Sequence, residues 1–308
     1  MILKPRALRP GDRVALVAPA SPFDRAEFER GVAELRALGF DPVYDDRVFQ
    51  RRAYLAGEPA LRAAAFLDAW QDDRIAALIA VRGGYGSVHL LPLLPPEVIR
   101  AHPKLFVGYS DTTALLTFLT QRCGIVAIHG PMIEGRFASG VEGYDRESFL
   151  ACVSRPEPMG EVAASLHPVR DGEAAGPLTG GTLTQIVASL GTPYAFDPPE
   201  GCVLFLEDVA ERPYRIDRMV TQLKLAGILD RARAVIWGEM VRCHEPSGAP
   251  AALDVVCELF ERFAGPVVFG LPSGHSTGPC LTLPFGVRAR VTAGPRTTVA
   301  IEDAAVTA

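Results

Sequence analysis

The sequence predicts a two-domain α/β protein whose first half folds around a parallel sheet. Its 308 residues are about twice the length of a common single domain. Short apolar strands without polar alternation, such as residues 75–81, are typical of parallel strands covered on both faces. Amphipathic segments separate these strands, and a parallel sheet needs helical crossovers of that kind.

The elements of the first half follow from apolar periodicity and from turn residues. Residues 13–18 are predicted as a strand because an apolar run follows the turn formers Pro10 and Gly11. Residues 23–38 have apolar side chains at three- and four-residue steps, and Gly39 ends that helix. The same criteria predict strands at 42–44, 75–81 and 105–108, and helices at 61–71 and 112–122.

The character of the sequence changes at about residue 137. Residues 137–176 have weak periodicity and many Arg, Glu, Pro and Gly residues, so the connection between domains is predicted here. The predicted limits are 1–150 for the N-terminal domain, 151–176 for a linker and 177–308 for the C-terminal domain. Beyond the linker we predict strands at 203–207, 234–237 and 267–269, helices at 214–225 and 253–263, and antiparallel strands within 281–301.

Composition excludes several classes of protein. Lys and Arg number 31 against 36 Asp and Glu, and a net charge of −5 argues against nucleic-acid binding. We find no apolar run of the ~20 residues that span a bilayer, and the apolar run at 14–18 is too short for a signal peptide. The six cysteines are scattered without a C-x-x-C pair, which favours reduced thiols in a cytoplasmic protein. We expect no metal and no cofactor.

The segment around Ser110 is the strongest candidate for chemistry. An apolar strand runs into Gly108, Tyr109 and Ser110, and a helix is predicted to begin directly afterwards. A serine at such a turn is exposed at the carboxyl edge of the sheet, and the N–H of Asp111 would lie at a helix N-terminus, where it can stabilise an oxyanion. Thr112 replaces the second glycine of G-x-S-x-G. The alternative is that Ser110 or Asp111 only caps the helix.

A serine nucleophile needs a base and a carboxylate. His275 lies in a glycine-flanked loop after a predicted strand, and His129 follows another strand end. Glu207 ends an apolar strand, where packing alone does not call for an acid, although capping of the next turn is an ordinary alternative. The chain order Ser, Glu, His occurs in α/β hydrolases.

Residues 82–87, Arg-Gly-Gly-Tyr-Gly-Ser, follow the strand at 75–81. They fail as a dinucleotide fingerprint because His89 stands where the last glycine is needed. A glycine turn at this edge can instead direct a backbone N–H at a reacting carbonyl, which makes Gly84 a candidate oxyanion donor. A plain tight turn is an equally good interpretation.

Taken together, these motifs resemble the LD-carboxypeptidase family of serine peptidases, which includes muramoyl-tetrapeptide carboxypeptidases and microcin C self-immunity hydrolases. The resemblance runs in order through 11–21, 82–86, 108–112, 129–132, 180–184, 189–193, 206–209, 213–219 and 274–275. It departs from the family at Thr182, where Asn is common, and in 276–280.

The resemblance implies a fold and a set of roles. The N-terminal domain would be a flavodoxin-like or class I glutamine amidotransferase-like parallel sheet, and a smaller, β-rich α/β domain would follow. Ser110 would be the nucleophile, His275 the general base and Glu207 its orienting carboxylate. The amides of Gly84 and Asp111 would form the oxyanion hole.

Substrate and assembly are further implications of the resemblance. Members release terminal D-alanine from murein tetrapeptides, by cleaving the L-diamino acid–D-Ala bond, in cytoplasmic cell-wall recycling, often as homodimers. Arg82 and Arg212 are candidate ligands of the terminal carboxylate, and Tyr85 is a candidate pocket residue.

Two other functions stay open at this point. One is a microcin-immunity-type hydrolase of acyl-sulfamoyl or aminoacyl-nucleotide amides. Such members often place an aromatic side chain over the nucleotide, whereas Trp70 and Trp237 fall in a predicted helix and strand. The other is a non-catalytic α/β ligand-binding module in which Ser110 is a helix cap.

Overall fold

A computed structural model describes residues 2–162 and 166–308, and they divide into two compact units. The first unit contains residues 1–157, 278–285 and 304–308, and the second contains 158–277 and 286–303. Within the described residues, none of the helices combines the length and hydropathy needed to cross a bilayer.

The first unit begins with alternating strands and helices. Its elements up to the end of α5 are β1 (Arg13–Val17), α1 (Arg25–Ala37), β2 (Asp41–Val43), α2 (Pro59–Gln71), β3 (Ile75–Ala80), α3 (Pro96–Ala101), β4 (Leu105–Gly108), α4 (Thr113–Thr117), β5 (Ala127–His129) and α5 (Arg146–Ser154). A 3₁₀ turn, Ser110–Thr112, precedes α4, and a π-helical turn, Phe118–Arg122, follows it. The predicted helix at 112–122 is therefore helical throughout but of three kinds.

The second unit contains most of the remaining strands. Its elements are β6 (Gly160–Glu161), β7 (His167–Arg170), β8 (Gly172–Thr182), α6 (Leu183–Ser189), β9 (Cys202–Glu207), α7 (Pro213–Leu225), β10 (Ala232–Gly238), α8 (Ala252–Phe260) and β11 (Val267–Leu271). After β12 (Leu283–Phe285), which belongs to the first unit, β13 (Arg288–Ala293) and β14 (Thr298–Ile301) complete the second.

The sheet of the first unit has the order β12-β5-β4-β3-β1-β2. Its five N-terminal strands are parallel, and their order 2-1-3-4-5 is that of flavodoxin-like sheets. Every residue of β3 is buried, as its unbroken apolar sequence predicts. The parallel α/β domain predicted for the first half is confirmed. Such sheets bind ligands outside the carboxyl ends of their strands.

The eight-stranded sheet of the second unit has the order β6-β14-β13-β8-β9-β10-β11-β7. Its central strands β8, β9, β10 and β11 are parallel, and antiparallel strands flank them. The side chains of β9 and β10 pack with α7 and α8 in a core that includes Trp237 and Phe260. The predicted antiparallel pairing of the tail occurs between β13 and β14.

Two features differ from the sequence-based prediction. Residues 151–176, predicted as a linker, include the end of α5, the strands β6 and β7 and the start of β8, while 163–165 lie outside the described residues. β8 has the composition of a loop because it is rich in glycine. A side chain would collide with the Gly201 carbonyl at Gly176 and with the Phe205 backbone at Gly180, so neither position has room for one. The second feature is β12, which pairs antiparallel with β5 in the first sheet although it falls in the predicted C-terminal domain.

Candidate active site

Ser110 lies at the carboxyl edge of the first sheet, directly after β4. Its backbone has φ +63°, a left-handed conformation that is strained for a residue with a side chain. Nucleophilic serines of α/β hydrolases occupy strand-to-helix turns of this strained kind. The N–H of Asp111 follows in the first helical turn, where backbone donors have no partner within the helix.

Gly108 makes this turn possible. A Cβ at that position would lie 2.5 Å from Thr112 Oγ1 and 3.3 Å from the Cβ of Ala80. The hydroxyl of Thr112 donates to the carbonyl of Tyr109 at 2.9 Å, so it closes the turn in which the hydrolase motif has its second glycine. The departure at Thr112 is therefore compatible with the turn geometry.

The glycine turn, residues 83–87, lies beside Ser110. A Cβ at Gly83 would be 3.2 Å from Ser110 Oγ and 3.4 Å from the Asp111 nitrogen. Gly84 has φ +91°, and a Cβ there would meet Ser21 Oγ at 2.4 Å, so only glycine fits. In the part of the chain that the structure describes, the N–H of Gly84 makes no hydrogen bond.

The carboxylate of Asp111 does not cap its own helix. It accepts hydrogen bonds from the N–H groups of Gly86 at 3.1 Å and Ser87 at 2.8 Å. Ser21, which follows β1, accepts from the N–H of Tyr85 at 3.1 Å and donates its own N–H to the carbonyl of Gly83 at 3.1 Å. These contacts were not predicted from the sequence, because only folding brings the three strand ends together.

Glu207 and His275 form a close pair in the second unit. Glu207 ends β9 and is fully buried, and its Oε2 lies 2.8 Å from His275 Nδ1 and accepts from the His275 N–H at 3.0 Å. Its other oxygen accepts from the hydroxyl of Thr182, the neighbouring residue on β8. A carboxylate at Nδ1 holds the imidazole so that Nε2 is the nitrogen available to accept a proton.

Gly238 leaves space for Glu207, and the adjacent acid Asp208 has different hydrogen-bond partners from Glu207. Gly238 on β10 is necessary because a Cβ there would lie 2.7 Å from the Cβ of Glu207. Asp208 instead accepts from Thr184 Oγ1 at 2.7 Å and from the N–H groups of Thr184 and Val209, both at 2.9 Å. Burial raises the pKa of Asp208 to about 6, and the charge of Glu207 adds to that shift.

The remaining candidates already have partners within the protein. Arg82 pairs with Glu134 at 3.0 Å and donates to the carbonyl of Pro22 at 2.9 Å. Arg212 pairs with Glu245 at 2.9 Å. The side chain of Tyr85 is exposed, and its ring centroid lies 5.3 Å from that of His89. Their roles as substrate ligands stay predictions.

His129, the other histidine at a predicted strand end, lies in the interior of the first unit. It is fully buried, pairs with Leu283 across β5 and β12, and its ring lies 5.4 Å from that of Phe285.

Comparison with known proteins identifies the family. Residues 14–130 match the LD-carboxypeptidase N-terminal domain and residues 175–291 the C-terminal domain. A putative carboxypeptidase of Streptomyces coelicolor is 39% identical over 300 residues, covering 95% of this chain and 94% of that protein. A probable murein peptide carboxypeptidase of Bacillus subtilis is 33% identical over 300 residues, covering 96% and 93%.

The fold is also that of a solved structure. The apo form of an active-site mutant of the microcin C7 self-immunity protein MccF superposes with a TM-score of 0.90, at 24% identity, over 99% of this chain and 100% of that one. At that identity the likeness establishes the fold alone. The two domain matches and the relatives establish more: the chain belongs to the LD-carboxypeptidase family and is a serine-type carboxypeptidase.

Proposed function

We propose that the protein releases the terminal D-alanine of murein tetrapeptides by cleaving the bond after the L-centre of a diamino acid. The observation that carries the proposal is Ser110 at φ +63° beside the glycine turn, with Gly83 next to its hydroxyl and the Asp111 amide. The name of the Bacillus subtilis relative supports a murein peptide as the substrate.

The proposed mechanism uses Ser110 as the nucleophile, His275 as the general base and Glu207 as the carboxylate that orients the imidazole. Ser110 Oγ bonds to the scissile carbonyl carbon while its proton passes to His275 Nε2, and Glu207 stabilises the imidazolium that results. The amides of Gly84 and Asp111 hold the negative oxygen, and each donor is worth about 3 kcal/mol. The C–N bond then breaks, Nε2 returns the proton to the amine of D-alanine, and water hydrolyses the acyl-enzyme.

The assay is direct. L-Ala-γ-D-Glu-diamino acid-D-Ala peptide is incubated with the protein, and free D-alanine is measured. We expect turnover that is lost in Ser110→Ala, together with labelling of Ser110 by a fluorophosphonate probe. A folded protein that neither labels nor turns over the peptide would support the ligand-binding module instead.

Recognition of the terminal carboxylate has its own test. We propose Arg82 or Arg212 as its ligand, since guanidinium groups bind carboxylates in a fork geometry, and Tyr85 as a pocket residue. Arg82→Ala and Arg212→Ala are compared on the tetrapeptide and on its C-terminal amide. Alanine in place of the arginine that binds the carboxylate should raise KM for the acid and not for the amide. Equal effects on both substrates would exclude that residue.

Hydrolysis of acyl-sulfamoyl nucleotides is the second candidate, and it is supported by a relative at 29% identity over 301 residues, the microcin C7 self-immunity protein MccF of Escherichia coli. Trp70 and Trp237 are fully buried, so neither tryptophan ring can cover a nucleotide, which argues against a tryptophan platform for this substrate. Parallel assays on the tetrapeptide and on glutamyl-sulfamoyl adenosine separate the two activities. Preference for the nucleotide by kcat/KM would overturn the murein assignment.

We also propose that the enzyme is a homodimer that acts in the cytoplasm, as the family resemblance implies. Light scattering after size-exclusion chromatography measures the dimer, and cell fractionation measures the location. A monomer at micromolar concentration, or recovery outside the cytoplasm, would contradict these assignments.

A further inference from the structure

Two buried charged side chains form hydrogen bonds to the backbone of the glycine turn. The first is that of Asp111, which is 1% exposed. Its Oδ1 accepts from the N–H of Gly86 at 3.1 Å, its Oδ2 accepts from the N–H of Ser87 at 2.8 Å, and Ser87 Oγ donates to the Asp111 carbonyl at 2.7 Å. Three hydrogen bonds thus join residues 86–87 to the residue that follows Ser110.

The second is that of Arg62 on α2, which is 4% exposed. Its Nη1 donates to the carbonyl of Gly86 at 2.8 Å and to the carbonyl of Pro19, and its Nε donates to the carbonyl of Gly57 at 3.1 Å. Burial lowers the pKa of Arg62, which the charges of Asp111 and Glu58 oppose. Within the described residues Arg62 forms no ion pair. Its buried charge, whose desolvation is unfavourable, is compensated by hydrogen bonds to three backbone carbonyls.

Both backbone polar groups of Gly86 are therefore hydrogen-bonded to buried side chains, the N–H to Asp111 and the carbonyl to Arg62. Only Tyr85 separates it from Gly84, and the N–H of Tyr85 is itself held by Ser21. The Asp111 carboxylate binds the Gly86 N–H, and the Asp111 backbone N–H is one of the two proposed oxyanion donors. The same residue therefore fixes the position of the Gly84 N–H relative to its own N–H. An oxyanion hole works only if its donors are fixed before the charge develops.

We propose that Arg62 and the carboxylate of Asp111 are positioning residues that set the distance between the two amide donors of the oxyanion hole. This inference rests on the proposed function. It assigns a catalytic consequence to two side chains that do not touch the substrate.

The variants are Arg62→Met and Asp111→Asn, and Lys104→Met is the matched control. Lys104 is also a buried cation of the first unit, 7% exposed, and its Nζ donates to the carbonyls of Asp72 and Ile75, both at 2.6 Å. Those carbonyls precede or begin β3, whereas the glycine turn follows it. All three variants lose buried hydrogen bonds to or from the backbone, but only the first two change the glycine turn.

The expected result is a change in kcat without a change in ground-state binding. Arg62→Met and Asp111→Asn should lower kcat by about 30- to 1,000-fold, up to the effect of losing one oxyanion donor, with KM within threefold. A boronic acid analogue of the substrate, which forms a tetrahedral adduct on Ser110, should lose affinity in proportion, while the tripeptide product binds as before. Lys104→Met should lower the melting temperature and leave kcat within twofold. Arg62→Lys should recover part of the loss.

Two results would overturn the proposal. The first is that Arg62→Met and Asp111→Asn keep wild-type kcat and boronate affinity. The second is that all three variants lose activity only in proportion to their loss of folded protein. If Arg62→Met and Asp111→Asn do not fold, Arg62→Lys takes their place, because it keeps the buried charge but a single ammonium cannot reproduce the guanidinium's hydrogen bonds to Gly86, Pro19 and Gly57. Wild-type kcat and boronate affinity in that variant refute the inference.

Failure of the proposed function gives a different result. If the wild type releases no D-alanine, the rate of fluorophosphonate labelling at Ser110 replaces turnover. Unchanged labelling rates in Arg62→Met and Asp111→Asn would then refute the positioning role, and slower rates would support it.

Discussion

Gly83→Ala tests whether the reacting carbonyl lies between Ser110 and the glycine turn. Gly83 does not have a positive φ, so alanine fits its backbone. The new methyl would lie 3.0 Å from Ser110 Cβ, 3.2 Å from Ser110 Oγ and 3.4 Å from the Asp111 nitrogen. A near-attack carbonyl needs the same space, at about 3–3.5 Å from the nucleophile.

The expected loss follows from that overlap. Displacement of the carbonyl by about 1 Å costs about 100-fold in rate, and loss of one oxyanion donor costs a similar or larger factor. We therefore expect kcat/KM to fall at least about 100-fold, or about 3 kcal/mol of transition-state stabilisation. Overpacking should lower the free energy of unfolding by about 1–3 kcal/mol.

Gly130→Ala is the matched control. A Cβ at Gly130 would be 3.0 Å from Thr282 Cγ2 and 3.2 Å from Val107 Cγ1, so the crowding is the same without contact with Ser110. D-alanine release and urea unfolding are measured for both variants. If Gly83→Ala keeps wild-type kcat/KM, or if Gly130→Ala loses as much activity at equal stability, the placement of the carbonyl is wrong.

Three further variants test the second unit. Glu207→Gln should lower kcat by about 10⁴, the effect of losing the orienting carboxylate in other serine proteases, with the fold intact by circular dichroism; a loss under tenfold would exclude the orienting role. Gly238→Ala forces a Cβ to 2.7 Å from that of Glu207, so kcat and the melting temperature should both fall, and an unchanged kcat would contradict the need for space there. Burial raises the pKa of Asp208 from 3.8 to about 6, so its protonated form stabilises the fold below pH 4 and this contribution is lost as the pH rises through 6. At about 1.4 kcal/mol per pKa unit, the free energy of unfolding falls by about 3 kcal/mol over this pH range. Urea titrations from pH 4 to 7 should show a flatter dependence for Asp208→Asn, and parallel curves for the two proteins would refute the assignment.

Much of the first unit is determined by local sequence. The apolar run of β3 is buried at every residue, and β4 begins and ends as predicted. The Ser110 turn is also local, because Gly108 and the strand-to-helix boundary lie within a few residues of it. Such features depend on periodicity and backbone conformation, which neighbouring residues control.

Other features depend on contacts between distant segments, and the sequence alone does not determine them. β8 carries glycines because the backbone of β9 lies against it, so its composition is that of a loop. β12 joins a sheet whose other strands come before residue 130, a pairing that no local pattern reveals. The sequence around Arg62 is that of an ordinary helix, yet the tertiary structure buries its guanidinium against the carbonyl of Gly86. The sequence predicts which residues do the chemistry, and only the tertiary structure decides which groups hold those residues in place, because the hydrogen bonds join segments far apart in the chain.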